Sequence, residues 1–421
     1  MTRPSVERRS GGTGVDFDDL LCDRAVNDPV GFYGALRDQD PVHFNPWWNG
    51  WVLTRYDDVA WAFRAHEQLP SDRFEGPWGD DFALKEKNVR DVLFDVLSKF
   101  FVWKDPPYHT RVRTLVNKAF SPKSIELLRP RVHRLVGELV DGLPVDEPVD
   151  FLHRFAFHLP VVVISEYLGI PTESRELIKD WSDDLGAVIF VRGQVSDRAQ
   201  RAEDAVEAMI DFLRPIVRDR KRSPRDDLLS GLVTVVEGRD SLTEDEVIAN
   251  TILMVFAGHE TTMNLIGNGV AAFWHHPDQW RRLQSGPGSE RLAVEEILRW
   301  DGPIRTQTRW AGVPVELGGK EIGVRDRILL VQIAANHDPA AFDRPERFDI
   351  GRVRNRHLTF GHGIHTCIGA PLARLEAQEA FRQLADRFDR LDILDDRLTY
   401  NPTIISGSLT GLHVAFRQKE K

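Results

Sequence analysis

The stretch Phe360-Gly361-His362-Gly363-Ile364-His365-Thr366-Cys367-Ile368-Gly369-Ala370 sets one cysteine among three glycines. Glycine lets a backbone take unusual angles and come close to a flat ligand. Helical spacing resumes at once through Leu372, Leu375 and Glu376, which puts the Cys367 sulfur at a helix N-terminus. Unpaired N–H groups and the helix dipole there favour a thiolate, the form that ligates metals. Thiolate ligation of iron promotes O–O cleavage. A lone cysteine in a glycine turn is more often a small buried packing residue, but here many surrounding positions are fixed as well. A second stretch, Ala257-Gly258-His259-Glu260-Thr261-Thr262, places a glycine, an acid and two hydroxyls in the middle of an apolar helix. These are poor helix formers, so local widening that frees carbonyls and admits water is expected. Taken alone, a hydroxyl bonded back to a carbonyl and a glutamate in a salt bridge account for it equally well.

The elements that carry these residues are mostly helical. Candidate helices run over 107–119, 122–143, 151–168, 173–190, 197–220, 291–300 and 368–387. The longest runs to about His275, opened by the capping-box pattern Thr243-Glu244-Asp245-Glu246. A β-hairpin is expected around Trp48-Asn49-Gly50, followed by a short helix from Tyr56 to Ala65. Short strands with a Gly318-Gly319 turn are expected over 309–335, and a last strand over Leu412–Phe416. Residues 66–105 read as irregular, and 1–15 as a disordered lead before a single domain over 16–421. The fold class is therefore α+β with small sheets.

Bulk properties narrow the function. The formal net charge of −10 argues against a general nucleic-acid binder. Two distant cysteines, Cys22 and Cys367, exclude a disulfide framework and fit a reducing compartment. The N-terminus lacks the apolar core of a signal peptide, and the apolar runs are far short of a bilayer span. A cytoplasmic protein without membrane insertion is the expectation.

The full pattern FGxGxHxCxG around Cys367, with AGxET at 257–261 and ExxR at Glu296–Arg299, resembles the cytochrome P-450 family. The resemblance runs from about residue 25 to 416 with the motifs in order. It implies a helix-rich triangular prism, haem b as cofactor, and Cys367 as the iron ligand. It implies that Thr261 orients dioxygen and water, and that Glu260 relays the two protons needed to make water. His259 and Thr262 are expected to pack rather than react. The resemblance further implies that Glu296 and Arg299 are structural, a buried pair anchoring the cysteine loop together with Arg347. Without it, an acid and an arginine three apart on one helix face would be read as a surface ion pair.

The haem propionates need cations. His109 and Arg113 are i and i+4 and can grip one carboxylate; His109 alone would be read as solvent-facing. Arg309 and His365 are the other matched positions, and Phe360, Gly361 and Ala257 complete the expected cofactor contacts. For the substrate pocket, matched positions are Leu253, Phe256, Ala257, Ile304, Ile404 and Ile405. Phe74, Trp78, Phe82, Phe100 and Phe101 are further candidates, with Val188, Ile189 and Phe190 where a lid would lie. Such a lining suits a largely apolar organic substrate. Arg305 is expected in solvent, with an acidic substrate group as its other reading, and Arg111 with Lys118 as part of a ferredoxin-docking patch.

The implied reaction is RH + O2 + 2 electrons + 2 protons to ROH + H2O, as hydroxylation, epoxidation or dealkylation in bacterial secondary metabolism or catabolism. No flavin- or cluster-binding segment remains, so electrons are expected from a ferredoxin and an NAD(P)H-linked ferredoxin reductase. A monomer acting on a free or carrier-protein-bound substrate is the expectation. The alternatives are a peroxide-driven peroxygenase, which has no need of the Glu260–Thr261 pair, and a non-catalytic haem-thiolate sensor.

Overall fold

A computed structural model describes residues 16–74, 91–189, 196–237, 240–286 and 288–418. The proposed lead at 1–15 and the pocket candidates Trp78, Phe82 and Phe190 lie outside them. At the centre is the helix Glu244–His275. Its capping box is complete: the Thr243 N–H donates to the Glu246 carboxylate at 2.9 Å, and the Glu246 N–H to the Thr243 hydroxyl at 3.2 Å. Apolar residues surround this helix on all sides, the pattern of a buried element. It packs against His158–Leu168, Ser196–Arg222, Glu290–Asp301 and Ala370–Arg387.

Beside this helical body lies a four-stranded sheet in the order Val42–Asn45, Gly50–Leu53, Arg327–Val331, Thr306–Trp310. The hairpin pairs Val42 with Leu53, Gly50–Leu53 runs parallel to Arg327–Val331, and Thr306–Trp310 closes the far edge antiparallel. A second sheet joins Phe388–Ile393, His413–Gln418 and Pro148–Asp150. Gly318 and Gly319, both at positive φ, turn Val315–Leu317 back onto Lys320–Ile322.

Several boundaries differ from the sequence reading, for local reasons. The expected helix over 122–143 is two, Pro122–Glu126 and Arg129–Asp141, with Pro130 in the first turn of the second. The helix over 151–168 begins as a wide π turn, Leu152–Ala156, before His158–Leu168. Pro160, which has no N–H to donate, lies in the first turn of that second segment. The segment read as irregular contains the helix Asp91–Ser98. Two further short helices, Leu228–Thr234 and Pro277–Ser285, escaped notice; each is under three turns, too short for periodicity to stand out. No described helix is long and apolar enough to cross a membrane.

Candidate active site

The cysteine loop owes its shape to backbone geometry. Gly361 and Gly363 adopt φ of 69° and 79°, the left-handed region that other residues enter at a cost. A Cβ on Gly363 would lie 2.8 Å from the Phe63 carbonyl oxygen, so the loop is pressed onto the helix Tyr56–Arg64. The Cys367 N–H donates to the Phe360 carbonyl at 2.8 Å. The helix after the loop begins at Ala370. Burial pushes the Cys367 thiol up, while the N–H groups of Gly369 and Ala370 and the Arg113 charge pull it down toward the thiolate.

Cys367 lines a cavity of about 330 Å³. From the central helix come Leu253, Phe256, Ala257, Glu260 and Thr261, and Ile304, Ile405, Phe101 and Ile189 add further apolar lining. Ile404 does not line it and packs against a separate core that includes Phe32 and Val331, while its neighbour Ile405 does line it. Phe74 and Phe100 are core residues, and Val188 packs against the same core. The central helix stays α-helical through residues 257–262, so the expected local opening does not occur. The Thr261 hydroxyl instead donates to the Ala257 carbonyl at 2.7 Å, which satisfies that oxygen within the helix. Burial, reinforced by the negative charge of Asp183, raises the Glu260 carboxyl to about 7. His259 bonds the Val255 carbonyl, sets its ring against Phe157, and is buried, as is Thr262.

The cations Arg113, from the helix Tyr108–Ala119, and Arg309, from the strand Thr306–Trp310, line this space with His365 of the cysteine loop. His109, on the same helix as Arg113, does not itself line it and is buried against His365. His109 and His365 lie with ring centroids 4.3 Å apart. Arg113 bonds the Thr366 carbonyl, and Arg309 that of Thr308 at 2.9 Å. Burial lowers Arg309 to about 10, still cationic at neutral pH, and lowers His109 to about 3, a neutral ring. Both His109 ring nitrogens and Nδ1 of His365 are buried without a hydrogen-bond partner. Buried polar atoms are rarely left so. Two carboxylates between these four side chains would answer them, which is the requirement of a haem whose iron meets Cys367. Phe360 lines the cavity, while Gly361 acts through the loop's turn. Asp105 was not singled out as a site residue. It accepts from the N–H groups of Ser71 at 2.9 Å and Asp72 at 2.8 Å, and lies 3.5 Å from His365 Nε2.

Glu296 and Arg299 form a fully buried pair, with bonds of 2.8 and 2.9 Å. The side chain that completes the group is that of Arg352, 3.1 Å from Glu296, and not that of Arg347. Arg347 enters by its carbonyl, which accepts from Arg299 at 3.0 Å. Spacing alone could not separate two arginines five apart in a loop. Arg305 is not in solvent: it is buried, pairs with Asp301 at 3.0 Å and lies 4.1 Å from the Tyr400 ring centre. Arg111, partly exposed, pairs with Glu246 on the central helix.

A thiol on a glycine loop, an acid–alcohol couple and two guanidiniums lining one largely apolar space are the groups a haem-thiolate site requires. The cytochrome P450 family model matches residues 175–285 and 291–404. Cytochrome P450 CYP107DY1 of Priestia megaterium is 37% identical over 420 residues, covering 96% of this chain and 99% of that protein. Cytochrome P450 monooxygenase PikC of Streptomyces venezuelae is also 37% identical, over 97% of this chain and 94% of its own. The crystal structure of P450BioI in complex with hexadec-9Z-enoic acid-ligated acyl carrier protein superposes with a TM-score of 0.85. It shares 32% identity over 95% of this chain and all of that one. The chain belongs to the cytochrome P450 family and is a haem-dependent monooxygenase.

Proposed function

We propose that this enzyme inserts one oxygen atom from O2 into a largely apolar organic substrate, with electrons from an external ferredoxin and an NAD(P)H-linked reductase. The observation that carries this reading is the largely apolar cavity that Cys367, Glu260 and Thr261 line together. His109, Arg113, Arg309 and His365 would hold the haem carboxylates, with Cys367 on the iron. Bound there, haem supplies the activation of dioxygen that a thiolate ligand favours.

The chain's own residues do the rest. Glu260, raised to about 7, carries a proton at neutral pH in about half of the molecules and returns it readily. The Thr261 hydroxyl, one residue on, reaches the same space and passes a proton while accepting another. Leu253, Phe256, Ile304 and Ile405 exclude bulk water and orient an apolar skeleton. We place the protein in the cytoplasm as a monomer.

The test is turnover of a spin-shifting ligand with surrogate ferredoxin and reductase, set against hydrogen peroxide alone. Oxygenated product that depends on NAD(P)H and is lost in Glu260→Gln supports the proposal. Equal product from peroxide, indifferent to Glu260, would make the enzyme a peroxygenase. A reduced, carbon-monoxide-bound spectrum without the thiolate signature, or one unchanged by Cys367→Ala, would overturn the site altogether.

A further inference from the structure

Arg73 lines the same cavity, yet no residue motif pointed to it. Its guanidinium carbon lies 4.4 Å from the Trp103 ring centre and 5.4 Å from that of Trp310. Nε is buried without a hydrogen-bond partner, and no ion pair reaches the side chain among the described residues. Among the described residues, the nearby acids Asp72 and Asp105 have other partners. Asp72 pairs with Lys104 at 2.8 Å, both buried, and Asp105 is taken by the Ser71 and Asp72 N–H groups. Burial and the neighbouring Arg309 charge lower Arg73 to about 9, so it remains a cation at neutral pH.

Asp72 is the one acid whose charge acts on Arg73 among the described residues, and it is paired to Lys104. A buried guanidinium without a bonded counter-charge of its own costs free energy, which a protein tolerates where a ligand supplies the anion. The backbone leading into Arg73 is pinned. Trp310 N–H donates to the Pro70 carbonyl at 3.2 Å, and Asp105 holds the amides of Ser71 and Asp72. Arg73 is therefore presented rather than loose, and aromatic faces on which a guanidinium stacks orient it. The two haem carboxylates already have two guanidiniums, Arg113 and Arg309, and two neutral imidazoles. Arg73 is the third cation on a cavity whose remaining walls are mainly apolar.

We propose that Arg73 makes the cavity selective for organic acids, donating hydrogen bonds from the Trp103 wall to the carboxylate of an otherwise apolar substrate. This rests on the reading of the cavity as the substrate site. The experiment titrates the holoenzyme, and its Arg73→Gln and Arg73→Lys variants, with a panel of paired carboxylic acids and their methyl esters. Binding is read by calorimetry and by the haem spin shift, with an imidazole ligand and haem content as controls on the fold.

The expected result is that the best acid binds the wild type at least about tenfold more tightly than its ester. Arg73→Gln should erase that ratio with ester affinity unchanged, and Arg73→Lys should keep part of it. If no acid in the panel outbinds its ester, or the ratio survives Arg73→Gln, the proposal is wrong. Faster haem loss from Arg73→Gln with the ratio intact would instead make Arg73 a haem-carboxylate contact. Failure of the haem-thiolate reading shows separately, in the carbon-monoxide spectrum of the wild type.

Discussion

Glu296→Gln isolates the group that anchors the cysteine loop. One Glu296 oxygen accepts from Arg299 Nη2 at 2.8 Å and from the Asp349 N–H at 2.9 Å. The other accepts from Arg299 Nε at 2.9 Å, Arg352 Nε at 3.1 Å and Asn355 Nδ2 at 3.0 Å. Glutamine keeps the shape but turns one of these acceptors into a donor, so two or three N–H groups face another N–H whichever way the amide lies. Each hydrogen bond to a charged group contributes about 1.5–3 kcal/mol, and unbalancing a buried pair costs about 3–5 kcal/mol. A loss of about 3–5 kcal/mol is a large part of a typical stability of about 5–15 kcal/mol. Urea unfolding of wild type and variant, with haem content per chain, measures it. Haem retention should fall too, because Arg299 holds the carbonyls of Asn336 at 3.1 Å and Pro345 at 3.0 Å. A change below about 1 kcal/mol with full haem content is what an exposed pair gives, and would refute this account.

Two further outcomes follow from the same geometry. Arg309→Gln removes one of the two guanidiniums assigned to the haem carboxylates, and haem transfer to an acceptor globin should quicken by about tenfold or more; an unchanged transfer rate would remove Arg309 from that role. Glu260 has its folded pKa raised from 4.5 to about 7, so between those values the folded chain holds a proton that the unfolded chain releases. Stability should therefore fall as pH rises through that window and level off above it, and Glu260→Gln should flatten the slope. The same variant should lower turnover by about 100-fold with substrate affinity unchanged, as loss of a proton relay predicts. A wild-type slope that persists in the glutamine variant would place the titration elsewhere.

What could be read from the sequence was whatever depends on chain spacing. Cys367 and its glycines, the i, i+4 pair His109 and Arg113, and the Thr243–Glu246 box are local patterns, and local backbone rules decide them. Arg347 was named where Arg352 acts because the partner, Glu296, comes from far along the chain, and Arg305 was expected in solvent although Asp301 stands four residues before it. Glu296 lies 56 residues from Arg352, and Arg305 is held by the Val26 carbonyl as well as by Asp301. Arg73 could not be seen at all. Nothing in Ser71-Asp72-Arg73-Phe74 distinguishes a surface turn from a buried cation, and only the arrival of Trp103 and Trp310 decides between them. Of the two candidates Ile404 and Ile405 only the second lines the cavity, since a bend at these residues leaves no spacing rule to choose between them.

The way the cysteine loop is held explains how fixed chemistry and variable substrate choice share one cavity. Residues 358 and 359 are gripped from three directions. Gln332 donates to both carbonyls, at 2.6 and 3.2 Å, Asn336 accepts the Leu358 N–H at 2.7 Å, and the Thr359 hydroxyl reaches the Leu298 carbonyl at 2.6 Å. Leu298 precedes Arg299, so the buried charged group and the loop form one connected network. Within it, displacing the sulfur would require breaking several buried bonds at once. Leu298 and Thr359 of this network also line the cavity, whereas the apolar walls from other elements share none of these bonds. Phe101, Ile189, Ile304 and Ile405 contribute side-chain surface alone, and exchanging one for another apolar group of similar size costs under about 1.5 kcal/mol. A cavity can thus change its shape, or acquire a cation such as Arg73, while the thiolate and the Glu260–Thr261 couple keep their separation.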